Sequence, residues 1–243
     1  MKKILWVIGA GMALVFAFIL YIWLRLPDVS DLVRFNPKTT AIIEQRKEEA
    51  EDSNINFRVR QKWVSFQQIP SMLKNCVRIS EDASFYVHEG IDFDELGEAI
   101  KENIKSRKIK RGASTITQQL AKNLYLSTDR SFYRKFREIF ITNRLEKQLT
   151  KNRIFHLYLN VIEFGPGIFG VEAASNYFFH KSVMNLTLEE MIRLTAVIPR
   201  PLEIRPDRKS RWLYWRCRWI SSALKRYKYI DKSTCDGLLQ IFK

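Results

Sequence analysis

Twenty-one consecutive residues, Ile4 to Leu24, carry no charge. At about 1.5 Å per helical residue such a run crosses a hydrocarbon core of roughly 30 Å, so it predicts a transmembrane helix. Met1, Lys2 and Lys3 precede it, whereas Arg25 on the far side is followed by Leu26, Pro27 and Asp28. The heavier positive flank places residues 1–3 in the cytoplasm and the rest of the chain outside it. A cleaved leader has an apolar stretch of about 7–15 residues that ends in small side chains. Here Tyr21, Ile22, Trp23 and Leu24 run directly into Arg25, so the segment reads as an uncleaved, single-pass anchor.

After the anchor the pattern changes. Residues 25–60 read as a connector: Asn36-Pro37 signals a turn, and the polar, highly charged stretch from Thr39 to Asp52 predicts a solvated helix. The packed domain is expected over 61–206, followed by a basic, aromatic helical tail over 207–243. Within the domain apolar positions recur every three to four residues and strict alternation is scarce. Phe132, Phe136, Ile139 and Phe140 fall on one helical face, and Ile154, Leu157, Tyr158 and Ile162 on another. Thr187 with Glu190 makes a capping box that opens a helix closed by Pro199 and Pro201. The expected fold class is mainly α.

Composition narrows the choice of partner. With 46% hydrophobic and 13% aromatic residues in 243, the chain has enough apolar mass for a folded core, which excludes a disordered chain. Cys76, Cys217 and Cys235 include no CxxC and exclude a disulfide scaffold or a four-thiolate zinc site, leaving buried or free thiols as the simplest reading. The formal charge of +15 points to an anionic partner: nucleic acid, acidic lipid or a phosphorylated substrate. That charge is uneven. Residues 101–151 hold 14 basic and 4 acidic side chains and residues 199–243 hold 12 and 4, while residues 25–100 hold 10 and 14.

Three segments carry candidate chemistry. Gly112-Ala-Ser-Thr-Ile-Thr-Gln-Gln-Leu-Ala-Lys-Asn123 packs hydroxyls, amides and a lysine into twelve residues. It is neither a Walker loop nor a GxGxxG site, and Ser114 or Thr115 also suits a plain helix cap. Glu81-Asp-Ala-Ser-Phe-Tyr-Val-His88 sets a carboxylate beside aromatic residues, where it suits acid or base work or stands as a solvated surface acid. Arg134 and Glu138 are four apart on one helix face and make at least a surface pair.

Together, and in this order, these segments resemble the peptidoglycan glycosyltransferases of glycosyltransferase family 51. The first family motif is matched by Glu81, Asp82, Phe85, His88 and Gly90, and the second by Gly112, Ser114, Thr115, Gln118, Gln119, Lys122 and Asn123. Arg134, Lys135 and Glu138 match the third. Lys151, Ile154, Tyr158, Leu159 and Asn160 match the fourth, in which Phe155 and His156 stand where Leu and Glu are usual. Gly167, Gly170, Ala173 and Ala174 fit the small-residue motif that follows. His156 then reads as a helix-surface or packing residue. The resemblance covers roughly Trp63 to Pro206 and leaves no room for a penicillin-binding transpeptidase domain.

The resemblance implies a lysozyme-like domain that polymerises lipid II, moving the growing glycan from undecaprenyl pyrophosphate to the 4-hydroxyl of an incoming GlcNAc with inversion at the anomeric carbon. It implies Glu81 as the base and Glu138 as a second essential acid, which holds cations, binds a divalent ion or positions the donor. Lys122, Arg130 and Arg134 are implied at the pyrophosphate. Asp82, Phe85, His88, Ser114, Thr115, Gln118, Gln119 and Asn123 are implied substrate contacts. No cofactor is required by it; a divalent ion, Mg²⁺ or Mn²⁺, at the pyrophosphate is the one compatible addition. The implied partners are lipid II, the glycan strand, the bilayer and other cell wall synthesis proteins, not nucleic acid, and the implied location is the bacterial inner membrane. The stretch from Arg211 to Tyr229, with Trp212, Trp215 and Trp219, suits either a membrane surface or packing on the core. Two rival readings stay open: a glycan-cleaving lytic transglycosylase, which needs no pyrophosphate site, and a non-enzymatic membrane-anchored binding module.

Overall fold

Eleven α-helices and one small sheet make up most of the computed structural model, which describes residues 2–106, 113–129 and 131–243. In chain order these are α1 (Lys2–Leu24), α2 (Ala41–Asp52), β1 (Arg60–Gln61), α3 (Ser71–Glu81), α4 (Phe93–Ser106), α5 (Ile116–Tyr125), α6 (Phe132–Gln148), α7 (Lys151–Val161), β2 (Glu163–Gly165), β3 (Ile168–Phe169), α8 (Val171–Phe179), α9 (Leu188–Ala196), α10 (Arg211–Arg226) and α11 (Lys232–Ile241). Side-chain caps fix most of the helix starts. Thr40, Thr115, Ser131, Thr150, Thr187, Ser210 and Asp231 each accept the backbone N–H three residues on, satisfying a donor that the first turn leaves unpaired. The box expected at Thr187 and Glu190 is present.

The core gathers around α5 and α7. Ile116, Leu120 and Ala121 of α5 and Ile154, Phe155, Leu157, Tyr158 and Leu159 of α7 are fully or almost fully buried, and α5 also packs on α6 and α2. The second centre is α3, which packs on α9 and α10 through Leu73, Cys76 and Val77. The sheet runs in the order β1-β3-β2, with Arg60 opposite Ile168 in parallel and Glu163 opposite Phe169 in antiparallel register. All three cysteines are buried free thiols, and burial pushes those of Cys76 and Cys217 up to about 12.

The structure corrects one expectation and sharpens two others. The helix expected to be solvated is packed: Ile42, Ile43 and Ala50 of α2 are buried, the first two against Phe169. The polar composition of α2 hid a three-residue apolar stripe. The connector is also fastened, since Arg144 donates to the carbonyls of Leu26 and Pro27 and Arg153 to those of Leu32 and Phe35. Second, Phe132 and Phe136 do not face the core. The buried side of α6 is Glu138, Ile141, Thr142 and Leu145, while Phe136 and Tyr133 lie against Phe18 of α1 with ring centroids 6.2 and 6.3 Å apart. Third, residues 207–243 are built into the domain: α10 buries Leu213, Cys217, Ile220, Ala223 and Leu224 against α9, α3 and α11.

Asn160, at the end of α7, explains how the chain entering the domain is held. Its Oδ1 accepts the Val64 N–H at 2.9 Å, its Nδ2 donates to the Val64 carbonyl at 3.1 Å, and its own carbonyl accepts Gln61 Nε2 at 2.9 Å. A Cβ on Gly170 (φ 81°) would sit 2.5 Å from that same carbonyl oxygen, so the close approach requires glycine there. His156 is a packing residue of this region: Nδ1 accepts from Arg153, so Nε2 carries the proton that goes to the Val64 carbonyl. Burial lowers its pKa, which favours this neutral form. Replacing Asn160 by Ala strands the Val64 amide, and we expect a loss of about 2 kcal/mol of unfolding free energy. Chemical denaturation with an unshifted midpoint would show that the amide is not needed.

Candidate active site

The chain turns sharply where α3 ends, and there Glu81 opens onto a cleft of about 820 Å³. The Glu81 side chain is 9% exposed. One carboxylate oxygen accepts from Ser80 Oγ at 2.9 Å and the other from Gln119 Nε2 at 3.3 Å. The fully buried Tyr158 hydroxyl donates to Gln119 Oε1 at 2.9 Å. That bond fixes the orientation of the amide and turns its NH2 toward Glu81. Burial holds the Tyr158 pKa well up, so it remains a donor.

The opposite wall comes from α10. Trp212, Trp215, Arg216 and Trp219 line it, with Tyr227 beyond. Arg216 crosses the cleft floor: one terminal nitrogen lies 2.8 Å from Ser80 Oγ, 3.2 Å from the Ser80 carbonyl and 3.5 Å from Glu81. Its guanidinium sits 4.7 Å over the Trp219 ring. The helical spacing of α10 turns the apolar stripe inward onto the core, one of the two alternatives for this segment, and leaves the indoles at the cleft. Nothing in the residue pattern alone marked Arg216 as a neighbour of Glu81.

Several expected substrate contacts are engaged within the fold, although Asp82 and Thr115 also line the cleft. Phe85 is fully buried against Phe155 and Tyr86 and is not part of the cleft wall. Asp82 receives His88 Nε2 at 2.9 Å and the Ile116 N–H, at the first turn of α5, also at 2.9 Å. His88 Nδ1 accepts from the Gly90 N–H, so Nε2 carries the proton. Thr115 and Gln118 form a reciprocal capping box, and the Thr115 hydroxyl donates to the Gly90 carbonyl at 2.6 Å. These residues join the loop after α3 to the start of α5. Ser114 is exposed at the cleft, and Asn123 is buried on α5. Gly112 and Arg130 lie outside the described residues.

One turn beyond Gln119, α5 presents Lys122 to a group of charges. Glu138 of α6 is buried, with one oxygen 2.8 Å from an Arg134 terminal nitrogen and the other held by Lys135. Arg134 Nε also donates to the Asp129 carbonyl. At the start of β2, Glu163 receives a two-point contact from Arg46 of α2, at 3.0 Å on each oxygen. Lys122 has its pKa lowered by burial, against the opposing pull of Glu138 and Glu163. Among the described residues no hydrogen bond or ion pair is made by its ammonium. The pairing of Arg134 with Glu138 was legible in sequence; that of Arg46 with Glu163 was not, because the two lie over a hundred positions apart.

Among the described residues the candidate ligands for a divalent ion are tied into hydrogen bonds and ion pairs of the fold. Asp82, His88 and Asp92 have ligand atoms within 4.8 Å of one another, but each atom is already engaged. Asp82 is taken as above, and Asp92 accepts from Ser84 Oγ and the Glu95 N–H. Both Glu138 oxygens are held by cations on its own helix.

The site thus combines a carboxylate at the end of a helix, facing an open cleft, with a cation group one turn along α5 from its partner Gln119. The profile of the transglycosylase family matches residues 48–225. The chain belongs to that family. Proteins named biosynthetic peptidoglycan transglycosylase are similar to it over most of their length. That of Herminiimonas arsenicoxydans is 40% identical over 200 residues, 82% of this chain and 85% of the relative. Those of Methylobacillus flagellatus and Chromobacterium violaceum are each 38% identical, over 92% and 95% of this chain and 97% and 99% of theirs. The match begins inside α2 and ends inside α10, so both elements expected to flank the transglycosylase domain share in it.

Asp82 is a structural carboxylate in this geometry. Asp82→Ala leaves the Ile116 N–H and His88 without their acceptor at a buried helix start, and is expected to lower stability by about 3 kcal/mol. Urea unfolding of the purified variant checks this; a loss below about 0.5 kcal/mol, the range of neutral surface changes, would return Asp82 to the substrate.

Proposed function

We propose that this chain is a peptidoglycan glycosyltransferase that polymerises lipid II into glycan strands and releases undecaprenyl pyrophosphate. The observation that carries the reading is the placement on α5: Gln119 touches Glu81 at the open cleft, and Lys122, about 4.5 Å farther along the helix axis, faces the Arg134, Lys135 and Glu138 group. An acceptor hydroxyl and a leaving pyrophosphate need these two chemistries side by side. A glycan-cleaving enzyme has no use for the second.

In this mechanism the 4-hydroxyl oxygen of the incoming GlcNAc attacks the anomeric carbon of the lipid-linked strand. The C1–O bond to the pyrophosphate breaks from the opposite face, which gives inversion, and the hydroxyl proton passes to Glu81. The pyrophosphate leaves as an anion, so stabilising its charge matters more than supplying a proton. Lys122 and Arg134 take that part. Glu138 is not a second base here, since both its oxygens accept from cations; it holds Arg134 and Lys135 in place. Gln119 and Arg216 orient Glu81, while Trp212 and Trp215 offer flat apolar faces suited to sugar rings. No step runs through a divalent ion. The apolar α1 is proposed as a single-pass anchor in the inner membrane with its N-terminus cytoplasmic and the catalytic domain outside, where lipid II and the membrane are its partners.

Glu81→Gln keeps the shape and removes the base, and is expected to lower the rate of lipid II polymerisation by about 10³-fold. Affinity for undecaprenyl pyrophosphate should stay within a factor of about three, a difference of roughly 0.7 kcal/mol. Polymer forming at the parental rate would remove Glu81 from catalysis.

The lowered pKa of Lys122 has a definite sign: the ammonium loses its proton at lower pH than an ordinary lysine. Affinity for undecaprenyl pyrophosphate should therefore fall on the alkaline side before free lysine titrates, and Lys122→Arg should move that limb to higher pH. A limb that stays in place in the arginine variant would show that another group is titrating.

A further inference from the structure

Two adjacent residues of α2 reach the cation group from outside the segment where the domain was expected to begin. Gln45 grips Thr128 at two points: its Oε1 accepts the Thr128 N–H at 2.8 Å and its Nε2 donates to Thr128 Oγ at 2.6 Å. The next residue, Asp129, offers its carbonyl to Arg134, which in turn holds Glu138. Arg46 donates to both oxygens of Glu163, whose side chain is 7% exposed, and to Glu49 at 2.7 Å. Residues 45 and 46 thus fasten the two carboxylate sides of the Lys122 environment.

Lys122 lies in the field of two buried carboxylates, Glu138 and Glu163. Either one, if unengaged, would act on the ammonium with its full charge, and a desolvated lysine responds to an opposite charge more than a hydrated one does. Neither is unengaged. Arg134 and Lys135 occupy Glu138, and the planar guanidinium of Arg46 matches the two oxygens of Glu163. We propose that Arg46 is a positioning residue for the transfer reaction: by holding Glu163 it keeps that carboxylate from neutralising Lys122, and so keeps the ammonium available to a pyrophosphate. The proposal rests on the assignment of Lys122 to the pyrophosphate.

The arrangement makes a prediction that a merely structural bridge does not. Arg46→Ala releases Glu163 toward Lys122, and the dissociation constant for undecaprenyl pyrophosphate, titrated in detergent with the full chain, should rise about tenfold. Removing the competitor as well, in Arg46→Ala/Glu163→Gln, should bring it back to within about threefold of the parent. A bridge that only stabilised the fold would leave the double variant no better than the single. Thermal melts of each variant separate the two effects, and Arg46→Lys, which retains the charge, gives a folded intermediate case should Arg46→Ala fail to fold. In that event the comparison is Arg46→Lys with and without Glu163→Gln, and the same recovery is required. The proposal is overturned if the Arg46 variants bind as the parent does, or if adding Glu163→Gln brings no recovery. Lys122→Ala is measured alongside: unchanged affinity there overturns the pyrophosphate assignment itself, whereas weakened binding there with normal binding in the Arg46 variants overturns only the role of Arg46.

Discussion

The carboxylate of Asp82 joins the end of α3 to the first turn of α5, and the chemistry of the molecule depends on those two helices meeting at that point. Asp82 accepts the Ile116 N–H and holds the His88 ring, while Thr115 closes the same junction by donating to the Gly90 carbonyl. Glu81, one residue earlier, is thereby aimed at the cleft, and Gln119, one turn into α5, arrives beside it. A buried carboxylate with a helix N-terminus and a histidine as partners is stable only when both are in place. The junction therefore fixes the relative position of two helices through a few directional bonds, which apolar packing between α3 and α5 would not specify as narrowly.

The second constraint is electrostatic. Excess positive charge lies in residues 101–151, and among the described residues part of it is drawn into the fold. Lys122 is drawn into the fold and desolvated, and its neighbours Arg134 and Lys135 are held by a buried Glu138 on the same helix. Cations held in this way bind an anion more strongly than hydrated surface lysines do, because less water must be removed when the anion arrives. The cost is a lysine that tends toward its neutral form. Carboxylates nearby oppose that tendency, and they remain useful only while other cations occupy them.

Much of this was legible in the sequence, and what was not has a consistent cause. The helical content, the anchor and the capping box at Thr187 follow from local spacing and local hydrogen bonds, which a linear pattern records. The Glu81 and Lys122 segments were legible because their residue types are unusual in that order. Phe85, Thr115 and Gln118 are packed or bonded within the fold, and a motif marks that a residue is needed without saying whether it touches a ligand or holds the residue that does. Arg46, Glu163 and Arg216 carry no local signal: each acquires its meaning from a partner more than a hundred positions away. The partner of the apolar face of α6 was not legible for a different reason. Phe132 and Phe136 are as apolar as any core residue, and periodicity does not say whether an apolar face meets the protein interior or a second apolar surface.

That second surface connects the anchor to the site. Phe18 and Tyr21 of α1 lie against Tyr133 and Phe136, and Phe132 beside them is 88% exposed. The same helix carries Arg134, Lys135 and Glu138 on its adjoining face. α6 therefore borders both the apolar helix suited to a bilayer and the cation group suited to a pyrophosphate, within two turns of its N-terminus. A substrate with a long apolar tail and a charged head has these two requirements side by side. Such a molecule need not leave the interface to place its head beside Lys122, so the step most costly in water, extraction of the lipid tail, is absent from the proposed reaction. The arginines that fasten the chain between α1 and α2, Arg144 and Arg153, then do more than tidy a linker. They tie the chain that follows α1 to the helices of the domain, and in the proposed reaction that link governs how deep in the bilayer a lipid-linked head group is bound.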